Sequence, residues 1–114
     1  MTNARRANGT ARTKLRSRVL REETHCHLCD QPVDRKLPHG LPGSPEVDEI
    51  IPIAYGGNPL DRRNCRLAHR YCNRLRWHRP IAIARQQLAT KRPRFATNGS
   101  VTFDTPDARP SRQW

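Results

Sequence analysis

Two short motifs, far apart in the chain, constrain everything between them. Cys26-His27-Leu28-Cys29 is a CxxC knuckle, and His69-Arg70-Tyr71-Cys72 is an HxxC. Each spacing lets its two end residues face one ion from a tight turn or a first helical turn. Together they offer three thiols and one imidazole, a ligand set of structural zinc sites. A redox CxxC wants a strand before it and a helix after it. Here a basic, helix-forming segment precedes it and Asp30-Gln31-Pro32 follows, so zinc is the expected reading. The remaining cysteine, Cys65, lies in Asn64-Cys65-Arg66-Leu67-Ala68, where alternation turns Cys65 and Leu67 inward as core residues. In the rival assignment Cys65 is the fourth ligand and His69 is free.

A metal would suit the composition. Only 34% of the 114 residues are hydrophobic and 5% aromatic, which is thin for a self-sufficient core. Metal-binding free energy becomes folding free energy in such a chain. No apolar run approaches the roughly 20 residues that span a bilayer, so no membrane segment is expected. Met1 to Gly9 is polar and basic, so a secretory signal is not expected either. The expected compartment is the reducing cytoplasm, where these cysteines would not form a disulfide framework. Lys and Arg number 22 against 10 Asp and Glu, a net charge of +12. That excess points to a polyanionic partner, with nucleic acid first, through phosphate neutralisation and counterion release.

Along the chain, residues 1–10 read as a disordered basic terminus. From Ala11 to Glu23 neither Gly nor Pro occurs, and Leu15, Val19 and Leu20 form a narrow stripe among arginines: a short basic amphipathic helix. Residues 30–45 are rich in Pro and Gly and read as a loop. Glu46 to Ile51 reads as a strand between Pro45 and Pro52. Tyr55-Gly56-Gly57-Asn58-Pro59 is a turn cluster, and Asn64 to Ala68 is a second strand. His69 to Trp77 is an Arg-rich helix. Pro80 opens another, through about Ala89, with Ile81, Ala84 and Leu88 on one face. Residues 91–114 lack periodicity and read as a disordered tail. The organisation is one domain over 11–90, with its core at about 24–78.

Between the metal half-sites lies the acidic pair Asp48-Glu49 on the first strand, and Asn73 follows Cys72 on the helix. Neighbouring oxygen donors from two elements can hold a hard divalent cation such as Mg²⁺, with water and phosphate completing the shell. A basic protein offering that site to DNA is suited to metal-assisted phosphodiester hydrolysis.

The ordered set Cys26-x-x-Cys29, Val47-Asp48-Glu49-Ile50-Ile51-Pro52, Gly56-Gly57, Asn64-Cys65-Arg66-Leu67-Ala68-His69-Arg70-x-Cys72-Asn73 resembles the zinc-bearing HNH endonucleases. It is most similar to the small HNH proteins of bacteriophages. The resemblance implies an α+β, ββα-metal fold with a zinc knuckle, an N-terminal basic helix and a C-terminal helix. It implies a DNA endonuclease that needs a divalent cation (Mg²⁺, Mn²⁺ or Ni²⁺). By resemblance Cys26, Cys29, His69 and Cys72 hold zinc, and Asp48 and Asn73 hold the catalytic cation. Asn64 orients the base or braces the loop. It also implies a phage enzyme linked to DNA packaging, with the large terminase subunit and portal as partners. Oligomeric state is not indicated.

One position departs from the family. Its general base is usually a His directly after the Asp, and Glu49 stands there. Glu49 is taken as the base or as a second cation ligand, with His27 and His39 as substitutes for the missing imidazole. By default His25, His27, His39 and His78 are all expected at the surface. Arg70, Arg74 and Arg76 are expected to contact DNA phosphates, with a solvated helix face as the alternative, and Tyr55 and Trp77 are expected in the core, with a stacking platform as the alternative. The rivals are a non-catalytic zinc-knuckle module that binds nucleic acid, and an assembly factor whose basic surface binds an acidic protein.

Overall fold

A short hairpin forms the centre because its second strand is apolar almost throughout. β1 (Pro45–Glu49) pairs antiparallel with β2 (Cys65–His69), placing Val47 opposite Leu67 and Asp48 opposite Arg66. Cys65, Leu67, Ala68 and His69 are all buried. The computed structural model describes the backbone of residues 4–104 and the side chains of residues 9–104. The architecture is α+β, with helices packed around two small antiparallel sheets.

α1 (Ala4–Glu22) lies on the hairpin through Val19, which is fully buried, with Leu15 and Leu20 beside it. The stripe is as expected, but the helix begins at Ala4 rather than Ala11. Residues 4–10, expected as part of a disordered terminus, are helical. α2 (Arg70–Arg76) leaves β2 without a loop, because His69 keeps an extended backbone as its N-cap. α3 (Ile81–Lys91) starts after Pro80 and buries Ala84 and Leu88. Cys65 is a core residue, and burial pushes its thiol up. No helix among the described residues is long and apolar enough to cross a membrane.

The expectation of a disordered tail from residue 91 is corrected. Lys91 ends α3, and β3 (Pro93–Phe95) then pairs with β4 (Val101–Phe103) around a turn at Gly99. The hairpin is tied down at both ends: Gln31 donates to the Pro93 carbonyl at 2.6 Å, and the Gly43 amide donates to the Gly99 carbonyl at 2.8 Å. Phe95 packs against the core cluster. Residues 105–114 lie outside the described residues.

The connection from β1 to β2 is held by one side chain. Asn64 accepts from the Ile51 amide at 2.8 Å and donates to the carbonyls of Ile51 (3.0 Å) and Asn58 (3.2 Å). Its amide thus substitutes for a stretch of ladder, so Asn64 is a brace. Gly57 passes so close that a Cβ there would lie 1.6 Å from the Ile51 carbonyl oxygen, which excludes every other residue.

Charged groups fasten α1 to β2. Glu23 accepts from Arg62 (2.8 Å), Arg66 (3.1 Å) and the Leu67 amide (3.2 Å). Burial alone would raise its carboxyl. The Leu67 amide and the two guanidiniums outweigh that and hold it below its ordinary value of 4.5. A carboxyl lowered in the folded state adds stability above its unfolded value, and that stability is lost as pH falls through the folded value. Glu23→Gln is therefore expected to lower unfolding free energy by about 1–3 kcal/mol at pH 7. The difference should shrink from about pH 4.5 downward, as read by urea midpoints at pH 7 and pH 3.

Candidate metal centre and active-site cleft

The two motifs meet. The ligand atoms of Cys26, Cys29, His69 and Cys72 all lie within 4.8 Å of one another, and Cys65 is not among them. The His69 Nδ1 is 3.4 Å from Cys29 Sγ and 3.8 Å from Cys72 Sγ. A tetrahedral ion with Zn–S near 2.3 Å and Zn–N near 2.0 Å has N–S edges of about 3.5 Å, so the spacing fits zinc. The His69 Nε2–H donates to the Pro32 carbonyl at 2.8 Å, which leaves the Nδ1 lone pair facing the sulfurs. Amides of Leu28 and Cys29 point at Cys26 Sγ (3.4 and 3.5 Å), as in a turn wrapped around a thiolate.

The donor chemistry asks for a cation. With protons alone to balance the sulfurs, hydrogen bonds from Cys29 and Cys72 hold the Cys26 thiol far below its usual range. The bond to Cys26 pushes Cys29 up to about 12, and the same contact drives Cys72 far upward. Three thiols sharing protons around one imidazole is the arrangement in which a metal displaces protons and collects thiolates. The Phe95 ring covers the cluster, stacked on His69 at 3.7 Å between centroids and 11° between planes.

A second feature adjoins β1. Val47, Asp48, Glu49, Pro52, Ile53, Ala54, Asn73, Trp77 and His78 line a cleft of about 270 Å³. Asp48 forms its buried wall. Arg76 Nη1 donates to both Asp48 oxygens at 2.9 Å, and His27 Nε2 donates to Oδ2 at 2.8 Å. The Asp48, Arg76 and His27 side chains are at most 6% exposed. His27 belongs to the CxxC knuckle, so the metal-binding turn directly orients the strand carboxylate. It is corrected from a surface residue, and its contact with Asp48 keeps it from acting as a substitute base. The same Nη1 also reaches the Glu49 carbonyl, while Nη2 donates to the Ile50 carbonyl and Nε to the Arg79 carbonyl. Arg76 is thus corrected from a DNA contact to a buried clamp.

Asn73 is oriented the same way. Its Nδ2 donates to Glu46 at 2.9 Å, and the other Glu46 oxygen takes Arg70 at 3.0 Å. Glu46 therefore fixes which end of the Asn73 amide is a donor and leaves Oδ1 as an acceptor. Arg70 is engaged in that pair, and Arg74 is the exposed member of the expected phosphate-binding trio. Glu49 borders the cleft and also lies 3.9 Å from Arg12 of α1. Tyr55 and Trp77 are each 67% exposed, which corrects their assignment to the core. Asn64 does not line the cleft. Glu46 and His78 are the site residues that sequence reasoning missed. Glu46 gave an alternation signal, lying two residues before Asp48 on the same strand.

Chelation of the metal is expected to unfold the hairpin–knuckle unit. A strong zinc chelator should abolish a cooperative thermal transition that zinc restores and Mg²⁺ does not. Phe95→Ala should release zinc several-fold faster to the same chelator, because the stacked ring no longer covers His69.

Residues 26–79 match the family model described as HNH endonuclease. No curated protein and no solved structure matches the chain. The match begins at the first knuckle cysteine and ends just past His78, spanning both metal half-sites, the β1–β2 hairpin and α2. Residues 26–79, just under half of the chain, therefore resemble the HNH endonuclease family, and they contain a Cys₃His cluster compatible with structural zinc.

Proposed function

We propose that this protein hydrolyses DNA phosphodiester bonds in the cleft between β1 and α2, using a divalent cation. The observation that carries this is the joint orientation of Asp48 and Asn73 at one cleft. Each is held by a neighbour that leaves oxygen acceptors available: Arg76 and His27 for Asp48, Glu46 for Asn73. An ionised carboxylate has about four lone-pair sites, and the three bonds from Arg76 and His27 leave one on Oδ1. That oxygen and Asn73 Oδ1 are the hard donors that would hold the cation. Such a cation stabilises charge on phosphate and leaving oxygens when bound. Glu49, at the strand end, takes the proton of the attacking water. Asn64 holds the loop that frames this wall. The net charge of +12 draws DNA to the protein, and Arg74 on α2 is exposed.

One cleft cuts one strand at a time, so the expected product on supercoiled plasmid is the nicked circle. The phage resemblance extends the reading to a packaging nuclease working beside a large terminase subunit and portal. A non-catalytic DNA-binding module is the second reading, favoured by the Glu in place of the family's His at position 49.

The test uses zinc-loaded protein and supercoiled plasmid with EDTA, Mg²⁺, Mn²⁺ or Ni²⁺. Metal-dependent nicking is expected, and Asn73→Ala and Glu49→Ala should each slow it by about 100-fold or more. Asp48→Asn is preferred to Asp48→Ala, because removing the carboxylate entirely strands a buried guanidinium at a cost of about 3–5 kcal/mol. His27→Gln keeps a donor near Asp48 and should retain more activity than His27→Ala. Retarded but intact plasmid under every metal would overturn the nuclease reading and leave the binding module.

A further inference from the structure

The cleft contains an imidazole at a position the family pattern does not lead one to expect. His78 follows α2 and borders the same space as Asp48, Glu49 and Asn73. Three features place it there. First, the chain leaves α2 through Trp77 at φ 50 and ψ −113, a conformation that costs a non-glycine residue energy. Such strain persists only where the surroundings enforce it. Second, Arg76 supplies that enforcement. Its guanidinium is fixed to Asp48 and to the carbonyls of Glu49 and Ile50, while its Nε donates to the Arg79 carbonyl at 2.8 Å. The turn carrying His78 is therefore pinned to the strand carrying Asp48 and Glu49. Third, the ring is held by aromatic neighbours. Trp77 stacks on it at 4.7 Å and 8°, and Tyr55 meets it edge-on at 5.7 Å and 77°. A solvated surface histidine needs none of this.

We propose that His78 is the general acid of the cleft, delivering a proton to the sugar oxygen that leaves. The proposal rests on the nuclease reading above. Hydrolysis of a phosphodiester moves two protons, one off the attacking water and one onto the departing oxygen. Attack and departure are in line, on opposite sides of phosphorus. Glu49 on the strand and His78 on the turn after α2 border the cleft from different elements, so each can serve one end of that line. A carboxylate suits acceptance, and an imidazole can arrive carrying a proton. The water oxygen forms its bond to phosphorus as its proton passes to Glu49. The bond from phosphorus to the sugar oxygen breaks with its electron pair on oxygen, and the imidazolium N–H proton passes to that oxygen. Glu49 then loses a proton to solvent and His78 regains one, which restores both groups.

The experiment uses the full, zinc-loaded chain and an oligonucleotide duplex it nicks. End-group analysis of the products identifies the departing oxygen, and a matched duplex carries sulfur at that bridging position. A thiolate leaves without protonation, so it needs no acid. With the ordinary duplex, His78→Ala and His78→Gln are expected to cleave about 100-fold more slowly than the parent. With the sulfur duplex in the same metal, both should fall within about 5-fold of the parent, whereas Glu49→Ala stays slow on both. A His78 loss that is equal on the two duplexes would overturn the proposal, as would a His78→Ala rate equal to the parent on the ordinary duplex. Zinc content and thermal midpoint report whether the variants fold. If they do not, Tyr55→Phe and Tyr55→Ala provide the folded series: loss of the ring in Tyr55→Ala should slow only the ordinary duplex, and equal slowing of both would again overturn it. No cleavage of either duplex by the parent protein is a failure of the nuclease reading itself.

Discussion

Everything in this fold depends on closing a loop with a Cys₃His cluster. Cys29 and His69 are 40 residues apart, yet their ligand atoms approach to 3.4 Å. Closing a loop of that length is entropically unfavourable, and few apolar side chains are available to oppose it. A cation that collects three thiolates can supply the difference, because its binding free energy is counted in folding. The hairpin, the braced connection and α2 all hang from that closure. So does the position of Asp48, since His27 reaches it from inside the knuckle.

The second organising element is a guanidinium with no access to solvent. Arg76 is 2% exposed, a cost that is offset only when every donor is used. Here its donors reach one carboxylate and three carbonyls, from β1, the residue after it and the turn beyond α2. Those partners bring together the strand and the turn that form opposite parts of the cleft. Structure and site are the same set of bonds. Glu46 plays the matching role on the other side, where one carboxylate orients Asn73 and holds Arg70.

The legible parts of the sequence were those with local spacing or alternation. The CxxC and HxxC pairs identified all four members of the cluster, and alternation separated Cys65 from them. The stripe at Leu15, Val19 and Leu20 marked α1, although polar residues 4–10 gave no sign that it extends back. The C-terminal hairpin was written in the chain as Asn98-Gly99 between Arg94-Phe95 and Val101-Thr102-Phe103, a strong hairpin signal. Its surrounding polar composition outweighed that dipeptide in a reading by segment. Arg76 was illegible for a different reason. Nothing local distinguishes it from Arg70 and Arg74, and only the tertiary approach of β1 makes one of them a clamp.

His78 was hidden by the same limitation, with one addition. A histidine after an Arg-rich helix has no period and no partner in sequence, so solvent is its natural assignment. What moves it into the cleft is a backbone conformation at Trp77 that local preference disfavours. Sequences that fold well agree with local preference nearly everywhere, and departures concentrate where function or strain requires them. The departure here lies between a buried clamp and an exposed aromatic pair, Tyr55 and Trp77, at the edge of the cleft. The family's imidazole is missing from the strand at position 49, and another imidazole is held at the cleft by a strained turn. In the proposed mechanism, proton transfer is divided between a carboxylate on β1 and a ring beyond α2, without altering the frame that carries both.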